Sequence, residues 1–420
     1  MRLSCMKRTF VGKPVVRGWG ADAVGSGVVP ASSSDDRSGG RREALTVRRI
    51  TSDEHLAYVR AQEDGGRISF LQVPSWAGVK AEWQHASLGW FDGDEIVGAG
   101  LVLLRQVPRV KRFLAYLPEG PDIDWTGERT GRDLADWLDP LATSLKAMGA
   151  FAAKMGPMAA VRRWDADTLK AAIAEGTARR LRDVVPDHEE ASALKVADRL
   201  RELGWSQKPD TGAGFGDVQP RYVFQVPLAG RDEADLLAGF NQLWRRNIKK
   251  ADKAGVEVVH GGYDDLPAFH EVYVETAARD RFTPRGLAYF QRMWRAMEAE
   301  DPQRLTLYLA RHEGRVLAAT TLVRVGGHAW YSYGASSNEG RDVRPSNAVQ
   351  WAMIRDSRAA GCAVYDLRGI SDTLDPEDHL FGLIQFKLGT GGYAQEYLGE
   401  WDFPVRPVLA RAFDAYLSRR

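Results

Sequence analysis

Lys387 sits inside an apolar run, Leu383-Ile384-Gln385-Phe386-Lys387-Leu388-Gly389, beside glycine turns. Lysine is seldom buried unless it is paired or functional. The bland alternative is a surface lysine whose stem covers apolar neighbours. Val364-Tyr365-Asp366-Leu367-Arg368-Gly369 reads as a strand with a charged pair at its carboxyl end. Sites in α/β sheets usually lie there, although the pair would also suit a structural salt bridge. Arg285 and Tyr289 are four apart in Phe282–Phe290, where Pro284 suggests a helix start. A guanidinium and a phenol on one helix face suit a phosphate or carboxylate. Tyr331 and Tyr333 alternate along a strand, so the spacing puts both phenols on one face. Phe70 to Lys80 is an aromatic loop, with Trp76, that ends in a lysine.

A second kind of chemistry is electrostatic. The segment from Asp232 places Phe240, Trp244, Ile248 and Ala251 on one apolar stripe. Arg245, Lys249 and Lys253 form one row beside it, and Arg246 with Lys250 another. Such a face seeks phosphates, or is simply solvated. The formal net charge is only +1, so nucleic-acid contact requires this local patch. The eight histidines are dispersed, and no Walker loop, dinucleotide fingerprint or metal-ligand spacing occurs. No cofactor is therefore expected, and covalent or metal-dependent catalysis is disfavoured. Two widely spaced cysteines, Cys5 and Cys362, suit a reducing compartment. No apolar run approaches the about 18 residues of a membrane span. A cytoplasmic protein with room for contact at the inner membrane face is the expectation.

The elements that position these residues follow from periodicity. The 420 residues are 44% hydrophobic and 27% charged, enough for two or three packed domains. Residues 1–44, rich in Gly, Ser, Arg and Asp, read as a disordered arm. A strand opens at Leu45-Thr46-Val47, followed by a helix capped by Ser52 or Asp53. Ser87 to Leu104 reads as a hairpin about Asp92-Gly93-Asp94. The same turn-then-strand plan returns at Leu305 to Val323, and Trp330 to Tyr333 then matches Phe113 to Tyr116. The repeated order of helix, hairpin and strand points to two similar α/β units. Their boundaries are placed at 45–220 and 221–394, with 395–420 packing back on the first.

Taken together, these segments resemble the FemABX aminoacyltransferases. The matching stretches are Phe70-Leu71-Gln72 with Trp76 and Lys80; Leu243 to Ala251; Phe282 to Phe290; Tyr331 to Ser337; Pro345-Ser346-Asn347; Tyr365 to Gly369; and Phe386-Lys387. Tyr116 to Pro121 looks like actinobacterial members. The resemblance implies an α/β (α+β) fold of two tandem acetyltransferase-like (GNAT) units. With no long heptad helix between Arg245 and Lys387, it is the armless FemX-like form. It implies an aminoacyltransferase moving an amino acid, glycine first and alanine or serine otherwise, from aminoacyl-tRNA. The acceptor would be the third-residue side-chain amine of lipid II or UDP-MurNAc-pentapeptide, in cell-wall bridge formation by a monomer.

The resemblance also implies roles. Lys80, Arg285 and Tyr289 hold the precursor's phosphates and sugar, with Trp76 beside them and Tyr331 or Tyr333 touching the precursor. Phe386 and Lys387 stand at the acyl-transfer centre, and Asp366 is one candidate for the departing proton. Arg245, Arg246, Lys249, Lys250 and Lys253 would meet tRNA. Family members can carry an acidic residue near Phe151 to Trp164, where this chain has Lys154-Met155-Gly156-Pro157. The rival functions are a Fem-like, tRNA-dependent amide-forming enzyme of antibiotic biosynthesis, an acetyl-CoA-dependent acyltransferase and a non-catalytic RNA-binding module.

Overall fold

A computed structural model describes residues 43–62, 68–107, 110–207 and 217–418. Nearly all of the expected 1–44 arm, including Cys5, lies outside these residues. The strands are β1 (Thr46–Ile50), β2 (Gln84–Asp92), β3 (Glu95–Gln106), β4 (Phe113–Leu117), β5 (Ala150–Met155), β6 (Ala160–Asp165), β7 (His188–Glu189), β8 (Tyr222–Pro227), β9 (Glu257–Gly261), β10 (Leu305–His312), β11 (Arg315–Val325), β12 (His328–Ser336), β13 (Val364–Gly369), β14 (Tyr393–Tyr397) and β15 (Trp401–Phe403). The helices are α1 (Ser52–Ala61), α2 (Ser75–Val79), α3 (Leu134–Ala147), α4 (Ala166–Glu175), α5 (Ala191–Glu202), α6 (Glu233–Gly239), α7 (Gln242–Lys253), α8 (Leu266–Asp280), α9 (Leu287–Glu300), α10 (Pro345–Ala359), α11 (Phe381–Leu388) and α12 (Pro407–Ser418).

The expected duplication is visible in the order of elements. β1, α1, α2, β2, β3, β4, α3 and β5 are matched by β9, α8, α9, β10, β11, β12, α10 and β13. Each unit runs antiparallel until one parallel step, β4 to β5 in the first and β12 to β13 in the second. A helix makes each crossover, α3 and α10, as a parallel step requires. The two hairpins turn at Gly93 and at Glu313-Gly314, all with positive φ, the twist that tight hairpins favour. No described helix exceeds the 15 residues of α8 and α10, so no coiled-coil arm projects from the described residues.

The two sheets exchange chain. One has the order β1-β2-β3-β4-β5-β15, and the other β7-β6-β14-β8-β13-β12-β11-β10-β9. Strands β6 and β7, from the first half of the sequence, thus lie in the second sheet. Strand β15, from the C-terminal segment, pairs with β5 in the first. Three apolar clusters layer the molecule. The central one joins Leu101, Leu103 and Phe91 of one sheet to Leu307, Leu309 and Trp330 of the other, with α1, α2, α8 and α9 between. The outer clusters pack α3 and α5 on the first sheet, and α4, α7, α10 and α11 on the second.

Local expectations were met unevenly. The first helix is capped by Thr51, reciprocally with Glu54, one residue before the expected caps. The apolar stripe from Phe240 to Ala251 is interrupted, because Asn241 starts a new helix by accepting from Trp244 N at 2.9 Å. Pro284 opens no helix; α9 starts at Leu287 with Gly286 as its cap. Tyr331 and Tyr333 do not share a face. Pairing with β11 slips at Ser332, so Thr321 opposes Tyr333 while Leu322 opposes Tyr331. The extra residue of this β-bulge inverts the alternation. Tyr333 points to the central cluster and Tyr331 to the outer one.

Close backbone approach shows where the sheet tolerates no side chain. A Cβ on Gly392 would lie 1.6 Å from the Gln225 carbonyl oxygen of the adjacent β8. Gly392→Ala should therefore force the strands apart and cost about 1–3 kcal/mol in urea unfolding. Gly382→Ala, in open space on α11, should be neutral or stabilising by up to about 1 kcal/mol. Equal midpoints for the two variants would refute the strand contact.

Candidate active site

The precursor-binding candidates come from distant segments and meet at one place. Lys80 caps the C-terminus of α2, a short helix within the stretch read as an aromatic loop. Its ammonium lies 5.2 Å from the Trp76 ring centre and 5.4 Å from that of Tyr289. The Arg285 guanidinium sits 4.7 Å over the same Tyr289 ring. Although Arg285 precedes α9 rather than lying on it, it reaches the phenol it was expected to accompany. The Tyr289 and Tyr333 hydroxyls are 2.9 Å apart, and Arg285 interacts with Tyr333. Two cations, two phenols and an indole therefore form one cluster between α2, α9 and β12. Burial, then the charges of Arg285 and Arg292, push the Lys80 ammonium down to about 8, with Glu82 opposing. Such a site gains by taking an anion, which relieves the cation repulsion.

The second group lies at the carboxyl end of β13. Lys387 is 1% exposed and donates to the carbonyl oxygens of Arg368 at 2.6 Å and Gly369 at 2.8 Å. Burial holds its ammonium well below the ordinary range, against the favourable charge of Asp366, with Arg368 adding to the depression. It is a buried lysine rather than a surface one. Asp366 is fully buried; its Oδ1 accepts the Arg368 N–H at 2.8 Å and its Oδ2 lies 3.4 Å from His328 Nε2. The supposed Asp366–Arg368 side-chain bridge is thus a side-chain-to-backbone bond. The guanidinium turns to Glu119 of the first unit, at 3.5 Å.

Phe386, just before Lys387, ties this centre to the basic helix. Its carbonyl accepts Trp244 Nε1 at 2.8 Å, and the two rings stand 4.7 Å apart. Arg245, Arg246, Lys249, Lys250 and Lys253 are all exposed on α7. Tyr331 lies across the sheet from the Lys80 cluster, and burial lifts its hydroxyl to about 12. Sequence reasoning missed Glu119 and His328, which carry no local signal because their partners are remote in the chain. Among the described residues no group of His, Cys, Asp and Glu could hold a metal ion, and no helix is long and apolar enough to cross a membrane.

The model of the FemAB family matches residues 50–312 and 305–417. The chain belongs to that family. Among its relatives is the lipid II:glycine glycyltransferase of Staphylococcus haemolyticus, 24% identical over 88% of this chain and 95% of that protein. The protein of the same name from Staphylococcus saprophyticus is 25% identical over 86% of this chain and 93% of its own length. Among solved structures, FemX superposes with a TM-score of 0.71 at 23% identity, covering 87% of this chain and 99% of FemX. This FemAB protein therefore has the fold of FemX, and it is an enzyme of the transferase class.

The Lys80 cluster has a titration that tests it. Folded Lys80 loses its proton near 8, whereas the unfolded side chain does so near 10.5. Between those values the folded state binds fewer protons, so this group's cost to stability falls as pH rises through the window. Arg285→Met removes a neighbouring positive charge and should raise the Lys80 midpoint, read by NMR of labelled lysine. An unmoved midpoint would mean that the two cations do not share a site.

Proposed function

We propose that this FemAB protein transfers glycine from glycyl-tRNA to the third-residue side-chain amine of a lipid-linked peptidoglycan precursor, at the inner membrane face. The observation that carries the reading is the convergence of Lys80, Arg285, Tyr289 and Tyr333 from both units into one anion-seeking cluster. Asp366 and Lys387 form a second, buried group at the carboxyl end of β13. The names of the staphylococcal relatives favour glycine and lipid II over the other donors and acceptors considered.

In this reading Lys80 and Arg285 take the precursor's pyrophosphate, with Trp76 and Tyr289 as aromatic walls and Tyr333 as hydrogen-bond partner. Tyr331 faces the other side of β12, away from the Lys80 cluster. The acceptor amine attacks the ester carbonyl carbon; a C–N bond forms, the ester C–O bond breaks, and the amine proton ends on the departing ribose oxygen. The ester is already activated, so the protein supplies positioning and charge rather than a nucleophile. Lys387 acts by its field on the developing oxyanion. Its depressed proton affinity also suits it to relay the amine proton, giving its own to the leaving oxygen and regaining one from the amine. Asp366 holds the turn that carries the acceptor carbonyls of Lys387. The basic face of α7 receives tRNA phosphates, and its Trp244–Phe386 contact joins that surface to the centre.

Purified enzyme, charged tRNAs and lipid II should yield a product heavier by one glycyl residue in mass spectrometry. Transfer only to a non-wall amine would instead favour the antibiotic-biosynthesis reading. Lys387→Met should cut kcat by on the order of 10²–10³ while the melting transition persists. Near-normal kcat would remove Lys387 from the chemistry.

The α7 surface has its own test. The double replacement Lys249→Ala and Lys253→Ala should weaken tRNA binding and flatten its salt dependence by roughly one logarithmic unit of slope per lost contact, or less. An unchanged slope would place the tRNA elsewhere.

A further inference from the structure

Arg368 combines features that its place in a strand end does not require. Its φ is +53°, a region that residues with side chains avoid. Glycine would adopt it without strain, and the next residue is a glycine. The arginine side chain must therefore offset the conformation through its contacts. Its guanidinium, 3% exposed, stacks 5.0 Å from the Phe70 ring centre. One nitrogen lies 3.5 Å from Glu119 Oε1 and 3.4 Å from Gln219 Oε1, while Nη1 makes no hydrogen bond. Glu119 is itself left-handed, at φ +51°, and accepts the Ser69 hydroxyl at 2.5 Å.

We propose that Arg368 is a positioning residue, clamped from the first unit by Phe70 and Glu119, whose backbone holds Lys387 in place at the transfer centre. The proposal rests on the reading of Lys387 given above and adds a connection that reading does not contain. Phe70 packs edge-on to Trp76 at 5.4 Å, and Trp76 lies under Lys80. The contacts thus run unbroken from Lys80 through Trp76, Phe70 and Arg368 to Lys387. A precursor that settles on Lys80 and Trp76 acts on the element that carries the Arg368 carbonyl.

The charges around Lys387 make the role measurable. Asp366 and Arg368 face it directly, with opposite effects on its proton. His328 abuts Asp366, and Glu119 abuts Arg368. Tyr397 also lies within the field of Asp366, Glu119 and Arg368. Removing the Arg368 charge should let Lys387 hold its proton to higher pH, and removing the clamp should displace it.

The experiment compares full-length wild type, Arg368→Met, Arg368→Lys, Glu119→Gln and Lys387→Met in steady-state transfer across pH 6–10. Arg368→Met should lower kcat by about 10²-fold, the cost of misplacing a catalytic group by an ångström. It should also shift the kcat–pH limb assigned to Lys387 upward, with little change in KM for the precursor. Arg368→Lys retains charge and should return the limb toward its original pH while kcat recovers only in part. Glu119→Gln keeps volume and backbone, loosens the clamp, and should lower kcat in the same direction by less. It serves as the probe should Arg368→Met not fold. Normal kcat and an unmoved pH limb in the folded Arg368 variants, or in Glu119→Gln if those do not fold, would overturn the proposal and leave Arg368 as a lock between units. A fully active Lys387→Met would overturn the reading of Lys387 itself, a distinguishable outcome.

Discussion

The carboxylate of Glu400 is held by both halves of the molecule at once. It is 2% exposed and accepts the Tyr116 hydroxyl at 2.6 Å, from β4. It also accepts the N–H groups of Val218 at 2.9 Å and Gln219 at 3.2 Å, where the second half begins. Lys154 of β5 lies 3.7 Å away. A buried carboxylate is costly without such donors, and burial still lifts Glu400 to about 7, against Lys154. Gln219 then passes the connection on, donating to the Tyr116 hydroxyl and accepting from Arg368. The relative placement of the two sheets depends on this shared group.

Fixing the sheets fixes what faces what. The helices α2 and α9 are sandwiched in the central cluster, tied by the Ser75 N–H donating to Glu300 at 2.7 Å. That contact brings the C-terminus of one and the N-terminal approach of the other together, so Lys80 and Arg285 meet over one tyrosine ring. Among the described residues no carboxylate forms an ion pair with either cation. Burial first, and then the nearby Arg285 charge, lower the affinity of Lys80 for its proton.

What could be read from the residues and what could not divides by range. Hairpins, the duplicated order of elements and the burial of Lys387 follow from local patterning, because turns and alternation are short-range properties. The cluster of Lys80, Arg285 and Tyr289 was visible only through resemblance, since 205 positions separate the first two and no local rule brings them together. The reversal of Tyr331 against Tyr333 was illegible: a bulge at Ser332 is a property of the pair of strands, and simple alternation assumes none. Glu119 and Glu400 carry no local signal, because their partners lie in other elements.

The exchanged strand β15 sets a schedule for synthesis. Lys154 of β5 meets its partner Asp402 only after 248 further residues have been made. At about 5–20 residues per second, the edge of β5 stays unpaired for roughly 12–50 s on the ribosome. An open edge of this kind invites pairing with another chain, and an inward lysine is among the features that discourage it. Lys154 lies on that strand, charged and without its carboxylates until Glu400 and Asp402 arrive. The residue that later helps hold the sheets together thus first guards a nascent edge against the wrong neighbour.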